Sequence, residues 1–468
     1  MLGTARKTLR RNALLAIVAV LVAGLDVACA PASSGAVGPG ERPNILIILT
    51  DDHRLEGTMA VLPAVGRWFR EAGRTFPNAF STTPLCCPSR ATILTGQFAH
   101  NHGILNNGGT GRTVFDEETT VERYLQDAGY RTAIFGKYFN FWRVEDDPSF
   151  FDRWAIISPS RQSNGYRDGA WNVQGQLRTV HRYSTDYIAT QGARFIRNEE
   201  QRDAEPWFLE LATYAPHLRA VPEPAYEDAT VGPFRPTPAM RELDRSDKPP
   251  FLQSEHAALA GVGVARSRQL RTLMSVDDLV QKLAVTLRRT GETRDTLAFF
   301  LSDNGFLWGE HGARSKGYPY GPGVQVPLLV RWPGHIRNGS VDGRLAATVD
   351  VTPTILDAAG IEPDPAVPLD GRSLLDRGWS RPRMLLEFWP WSGSSSIAWA
   401  SSWTHRYQYT EYYDDTGQIV FREFYDLVHD RWQLVNLLHD GDPDNDPDVG
   451  PLHDLLTADR SCVGTACP

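Results

Sequence analysis

Cysteine is scarce in this chain: five in 468 residues, at Cys29, Cys86, Cys87, Cys462 and Cys467. Adjacent cysteines do not readily bridge each other, so Cys86 and Cys87 are unlike half-cystines of a secreted disulfide framework, and a chemical role for one of them comes into view. Runs of basic residues are also missing. With a formal net charge of -8 the chain is a poor candidate for nucleic acid. Long apolar runs are short supply as well: Ala13 to Leu25 is too brief to span a bilayer comfortably. No internal repeat is evident.

That apolar run follows Arg6, Lys7, Arg10 and Arg11 and precedes small residues, which reads as an export signal over residues 1–30. Ala28-Cys29-Ala30 fits a cleavage site, while Val27-Ala28-Cys29 resembles a lipoprotein box that would leave a lipid anchor on Cys29. Asp26 stands where that box prefers an aliphatic residue. Arg10-Arg11 is also compatible with a twin-arginine route. Residues 31–42, rich in Ser, Gly and Pro, read as a tether. Removing the leader takes away more positive than negative charge, so the mature chain is more acidic still. Any membrane association would run through the lipid anchor alone.

Four apolar segments of strand length end abruptly in polar residues. Asn44 to Thr50 stops at Asp51-Asp52-His53, and Leu297 to Ser302 at Asp303-Asn304-Gly305. Tyr130 to Phe135 runs into Gly136-Lys137, and Trp207 to Thr213 into Tyr214-Ala215-Pro216-His217. Continuous apolar runs imply strands covered on both faces, and loops beyond the carboxyl ends of such strands are where α/β sheets place ligands. Leu273, Val276, Val280, Leu283 and Leu287 form one stripe of a helix ending near Gly291, and Val121 to Gly129 forms a shorter helix. A third, begun by a proline, follows Thr352-Pro353. Alternating strands and helices argue an α/β core with a largely parallel sheet over residues 43–380. From 381 to 468 the texture becomes short aromatic strands, Leu385 to Trp389, Trp403 to Glu411 and Ile419 to Leu427, as in a smaller antiparallel sheet. Cys462 and Cys467, in a short Gly-containing loop, either close a disulfide or remain two thiols.

Asp51, Asp52, Asp303 and Asn304 are hard oxygen donors of the kind that Ca²⁺ or Mg²⁺ prefers over zinc, and crowded carboxylates repel unless a cation sits among them. In Cys86-Cys87-Pro88-Ser89-Arg90-Ala91-Thr92-Ile93-Leu94-Thr95-Gly96, Pro88 suits the first position of a helix, which places Cys86 where free N–H groups favour an anion. Arg90, one turn on, can lean back over the same spot.

Cys86-Cys87-Pro88-Ser89-Arg90 followed by Leu94-Thr95-Gly96 resembles the sulfatase signature. The Asp-Asp strand end and the later Ser302-Asp303-Asn304-Gly305 are similar to the family's pattern from about Asn44 to Cys467. The resemblance implies an alkaline-phosphatase-like fold and hydrolysis of sulfate monoesters, on a sulfated carbohydrate or aryl sulfate. It implies formylglycine made from Cys86 by a formylglycine-generating enzyme, and one Ca²⁺ or Mg²⁺ on Asp51, Asp52, Cys86, Asp303 and Asn304. Arg90, with the metal, would support the charge of the attacking formylglycine hydroxyl, Lys137 and Lys316 would hold sulfate oxygens, and His217 would protonate the leaving group. Many sulfatases carry a His two residues after the lysine; Phe139 stands there, and Asn140 becomes the candidate to replace it. His53, His100, His102 and His311 carry no ligand role. Leu85 to Arg90, Gly136-Lys137-Tyr138, Leu270 to Leu279 and Cys462 to Cys467 resemble the N-acetylglucosamine-6-sulfatase and extracellular sulfatase group. Trp142, Trp154 and Trp171 are available to stack on a sugar. Two alternatives stay open: a phosphonate or phosphate ester hydrolase of the same superfamily, which can share the Cys-x-Pro-x-Arg signature, and a non-catalytic glycan-binding protein if Cys86 is unmodified.

Overall fold

A computed structural model of the chain describes residues 42–468 apart from 109–110, 158–164, 202–204, 255–258 and 391–396. The leader, Cys29 and all but the last residue of the tether lie outside the described residues. Among those described, no helix is long and apolar enough to cross a membrane.

The strand Asn44–Thr50 is buried at every position and is flanked by two parallel neighbours, Trp207–Ala212 and Thr296–Ser302. Ile45, Ile47 and Leu49 face one apolar cluster and Leu46 and Ile48 another, which is why the run shows no polar alternation. Each such side chain contributes roughly 1.5–3 kcal/mol by leaving water. The sheet has ten strands. From one edge they run Ser340–Val341, Arg74–Thr75, Leu328–Arg331, Thr296–Ser302, Asn44–Thr50, Trp207–Ala212, Arg131–Gly136, Arg153–Ile157, Gly169–Val173 and Gln176–Val180. The middle five are parallel, and antiparallel pairs extend the sheet on both sides.

Helix Leu259–Thr290 covers one face through Leu270, Leu273, Val276, Val280, Leu283 and Leu287. It is much longer than the apolar stripe implied, beginning well before Leu273. The opposite face is covered by Cys86–Thr95, Val121–Asp127 and Val351–Ala359. The first of these begins at Cys86 itself, so Pro88 lies third in the helix rather than first. Its missing N–H is harmless there, because the first-turn donors have no intrahelical acceptor. Likewise Pro353 is the third residue of its helix.

The small sheet has four antiparallel strands where the sequence indicated three: Met384–Phe388, Ala398–Trp403, Tyr407–Tyr413 and Ile419–Asp426. Trp403 to Glu411 is not one strand. Trp403 ends a strand, and Thr404 turns the chain by accepting the Arg406 and Tyr407 N–H groups on its hydroxyl. Cys462 and Cys467 are bonded to each other, and Cys86 and Cys87 are free and buried.

Candidate active site

Register decides where the strand endings meet. Thr50 pairs with Ser302, so Asp51-Asp52 and Asp303-Asn304 leave the sheet side by side. Gly136 pairs with Ala212 and Leu49 pairs with that same residue, which brings Lys137 and the Tyr214-to-His217 turn to the same rim. Gly136 is required there: at φ 124° a Cβ would sit 1.9 Å from the Ala212 carbonyl oxygen. Lys137 then donates its N–H to that carbonyl at 2.9 Å and enters the site.

The side chains interlock. Cys86 Sγ is 3.3 Å from Asp51 Oδ1 and 2.7 Å from Lys316 Nζ. Lys137 Nζ is 2.5 Å from Asp51 Oδ2, and Lys316 Nζ donates to Asp52. Arg90 Nε donates to Asp303 Oδ2 at 2.9 Å and Nη1 to the Lys137 carbonyl at 2.7 Å. Asp303 Oδ1 accepts the N–H groups of Asp52 and Asn304, and Asn304 Nδ2 donates to Asp52 Oδ1 at 2.7 Å. His217 Nε2 lies 3.6 Å from Asp52 Oδ2, while Nδ1 sits 3.1 Å from the Leu218 carbonyl. Only His217, at 24%, and Lys316, at 12%, reach solvent appreciably, so approach is from their side.

Burial would raise the Asp51 carboxyl, but Lys137, His217, Lys316 and Arg90 together hold it below the ordinary range. Asp303 is raised, by burial and by the charge of Asp51. Burial would deprotonate Lys137, yet Asp51 outweighs it and the ammonium persists. For the Cys86 thiol, burial and then Asp51 push the pKa up, so unmodified Cys86 stays neutral and is a weak nucleophile.

The residues fit a hard cation. Asn304 Oδ1 is buried with no hydrogen-bond partner, beside carboxylates from two strand ends, and an acceptor in that position suits a metal ion. Asp51, Asp52, Cys86 and His217 can bring ligand atoms within 4.8 Å of one another. This set includes His217, which the sequence pointed to as a proton donor.

Asn140 is not brought to this cluster: its side chain is exposed, and its N–H meets Cys87 Sγ at 3.2 Å. His53 is held between Thr50 and Thr58 hydroxyls, and burial lowers its pKa to about 3. His100 pairs with Glu387, His102 with the Thr92 hydroxyl and His311 with Glu242. Trp142 and Trp171 are buried, and Trp154 Nε1 donates to Asn172, so the first two are packing residues and not sugar platforms. Two contributors escaped sequence reading. Asn107 Oδ1 accepts the Cys87 N–H at 2.9 Å, capping the helix that carries Cys86; the polar Asn106-Asn107-Gly108 turn was its only signal. Glu210, buried mid-strand on the Arg90 side of the sheet, is raised to about 7 by burial, with Arg90 opposing.

A mostly parallel sheet with hard oxygen donors, fixed cations and a buried Cys-x-Pro-x-Arg helix start at one rim defines a hydrolase of the alkaline-phosphatase-like fold. The Sulfatase family model matches residues 43–361, and a model described as N-sulphoglucosamine sulphohydrolase, C-terminal, matches 309–457. The chain belongs to the sulfatase family, and is a sulfuric ester hydrolase. It is 30% identical to the N-acetylglucosamine-6-sulfatase of Homo sapiens, over 92% of this chain and 87% of that protein. It is 32% identical to an extracellular sulfatase SULF-1 homolog of Drosophila melanogaster, over 75% of this chain but only 32% of that much longer protein. Among solved structures, one in complex with its substrate D-glucosamine-2-N,6-O-disulfate matches with a TM-score of 0.73 at 24% identity, covering 89% of this chain and 96% of that one. A phosphonate monoester hydrolase of Agrobacterium radiobacter matches with a TM-score of 0.67 at 22% identity, covering 89% and 95%.

Proposed function

We propose that the protein is exported and removes sulfate from a sulfated amino sugar, of the glucosamine 6-sulfate type, using formylglycine at position 86 and one divalent cation. The observation that carries this reading is the contact of Cys86 Sγ with both Asp51 and Lys316, which places position 86 between a carboxylate and an ammonium group. The 6-sulfatase relative and the glucosamine disulfate complex support the substrate class.

Hydrated formylglycine there would supply two hydroxyls on one carbon, one to attack sulfur and one to expel sulfate by collapse to the aldehyde, which serine or cysteine cannot do. A cation held by Asp51, Asp52, Asp303 and Asn304 would supply charge to match the sulfate oxygens. Lys137, Lys316 and Arg90 hold positive charge against the non-bridging sulfate oxygens, while negative charge moves to the bridging oxygen as the S–O bond breaks. His217, anchored through Nδ1 on Leu218, turns Nε2 toward the cluster and gives its proton to the departing sugar oxygen. Burial weakens its hold on that proton, and Asp52 and Asp51 strengthen it. A bound sulfate ester adds negative charge in the same sense as the aspartates.

Turnover of glucosamine 6-sulfate, an aryl sulfate, an aryl phosphate and an aryl phosphonate by one preparation tests the reading. Sulfate esters should be hydrolysed with the largest kcat/KM. A phosphonate or phosphate preference would replace this reading with that of a phosphorus ester hydrolase.

A further inference from the structure

At the edge of the central sheet formed by Arg74–Thr75 and Ser340–Val341, a cavity of about 500 Å³ is lined by Arg74, Arg337, Arg344, Arg377, Asp342 and Trp379 among others. Four arginines and one aspartate thus line one cavity, in a chain whose net charge is -8. The floor is rigid. Arg344 donates to Asp342, to the Asp376 carbonyl at 2.6 Å and to the Leu374 carbonyl at 2.9 Å, and its guanidinium stacks 4.6 Å from the Trp379 ring centre. Arg74 donates to the Leu374 carbonyl at 3.4 Å and stands 3.8 Å from Asp342. Asp342 is therefore shared between two buried cations. At the mouth, Arg337 and Arg377 are exposed, and their guanidinium groups have no hydrogen-bond or ion-pair partner among the described residues.

The sheet register separates this cavity from the catalytic rim. Arg74 pairs with Val330 and Val330 with Phe299. Arg74 is thus two strand spacings, about 10 Å, to the side of Asp303 and about 13 Å back along the sheet. Like charges gathered around a concave space repel until an anion enters, and arginine forks match the oxygens of sulfate groups. The volume is that of a pocket for an organic ligand rather than for a lone ion. The acidity of the whole chain disfavours a nucleic acid backbone.

We propose that this cavity is an exosite that holds a sulfate group of a glycan substrate at a point remote from the ester being cleaved. This rests on the sulfated-sugar reading above. Its test compares the parent with the Arg337→Ala/Arg377→Ala double variant, whose lost side chains make no contact the fold depends on. On a sulfated glucosamine-containing oligosaccharide, KM should rise at least about tenfold with kcat unchanged, the scale of losing charge-assisted bonds. On glucosamine 6-sulfate monosaccharide, both constants should stay at parental values. An unchanged oligosaccharide KM, or equal losses on both substrates, would overturn the exosite. If the parent hydrolyses neither sugar, the functional reading fails, and the exosite is then read from calorimetric binding of the oligosaccharide alone. Weaker binding by the double variant sustains it, and equal binding overturns it. Inorganic sulfate is the control ligand: parental affinity for it matching that for the oligosaccharide would overturn the glycan assignment.

Discussion

Buried carboxylates occur in two parts of this molecule and are satisfied in opposite ways. In the small sheet, Glu423 accepts the hydroxyls of Tyr320 and Tyr425 on one oxygen and of Tyr412 on the other, at 2.7–2.8 Å. Glu411 is similarly held by Tyr409, Tyr413 and His453. Tyrosine hydroxyls account for all three bonds to Glu423, while Glu411 also has Arg422 Nε 3.6 Å from Oε1, so both oxygens of each carboxylate are already engaged. At the rim of the large sheet, Asp51, Asp52 and Asp303 are matched by Lys137, Lys316 and Arg90 instead, and Asn304 Oδ1 beside them has no partner. Burial is equal in the two places; what differs is whether charge and bonding capacity remain for something to arrive. The saturated cluster is architecture, and the charged, incompletely satisfied one is where chemistry is expected.

Several perturbations would sharpen or break that contrast, and the largest effect belongs to the rim. Asp303→Ala, or exhaustive chelation of the parent, should remove metal and activity together. Full metal occupancy in the variant, read by elemental analysis, would remove Asp303 from the ligand set. Next, His217→Ala should lower kcat on a sugar sulfate by about 10²–10⁴-fold, the range for a lost general acid, but act far more weakly on an aryl sulfate with an acidic phenol. Equal losses on both would mean that His217 positions and does not donate.

Glu423→Ala should behave in the opposite manner. Three phenols lose their acceptor, so stability should fall by about 3 kcal/mol in urea titration, while kcat on folded protein stays near parental. A large loss of kcat at full folding would break the distinction between the two clusters. The smallest expected effect is at the junction of the core with the small sheet, where His100 Nδ1 is 2.9 Å from Glu387. Burial would lower the His100 pKa, but the hydrogen bond and charge of Glu387 outweigh it and the value is raised. The pair's stabilisation is then fully present below the ordinary histidine pKa and is lost as pH rises through the raised folded-state value. Urea midpoints of parent and Glu387→Gln should therefore converge as pH increases; a constant gap would show that protonation of His100 contributes nothing.

Much of this was legible in the chain because strands buried on both faces must end somewhere, and these end in Asp51-Asp52, Lys137, His217 and Asp303-Asn304. Parallel registers then bring the endings to one rim, as the fold class requires. Other features follow from contacts that no local pattern encodes. The first part of helix Leu259–Thr290 carries Gly261, Gly263 and several arginines, and is tied down through Val262, clustered with Phe306 and Trp308. Aromatic residues on both sides of Thr404 hid the turn there. Phe139 stands at the family's histidine position, and Asn140, the next residue and the candidate to replace that histidine, is exposed in the loop after Lys137. Glu210 was invisible inside an apolar strand, since its ionisable neighbours Arg90 and Glu122 come from helices packed on that face of the sheet.

The account turns on the chemical state of position 86. Peptide mass analysis of protein co-produced with a formylglycine-generating enzyme should find the aldehyde at Cys86 and an intact thiol at Cys87, with specific activity rising in proportion to conversion. Full activity in a preparation whose Cys86 is entirely unconverted would contradict it.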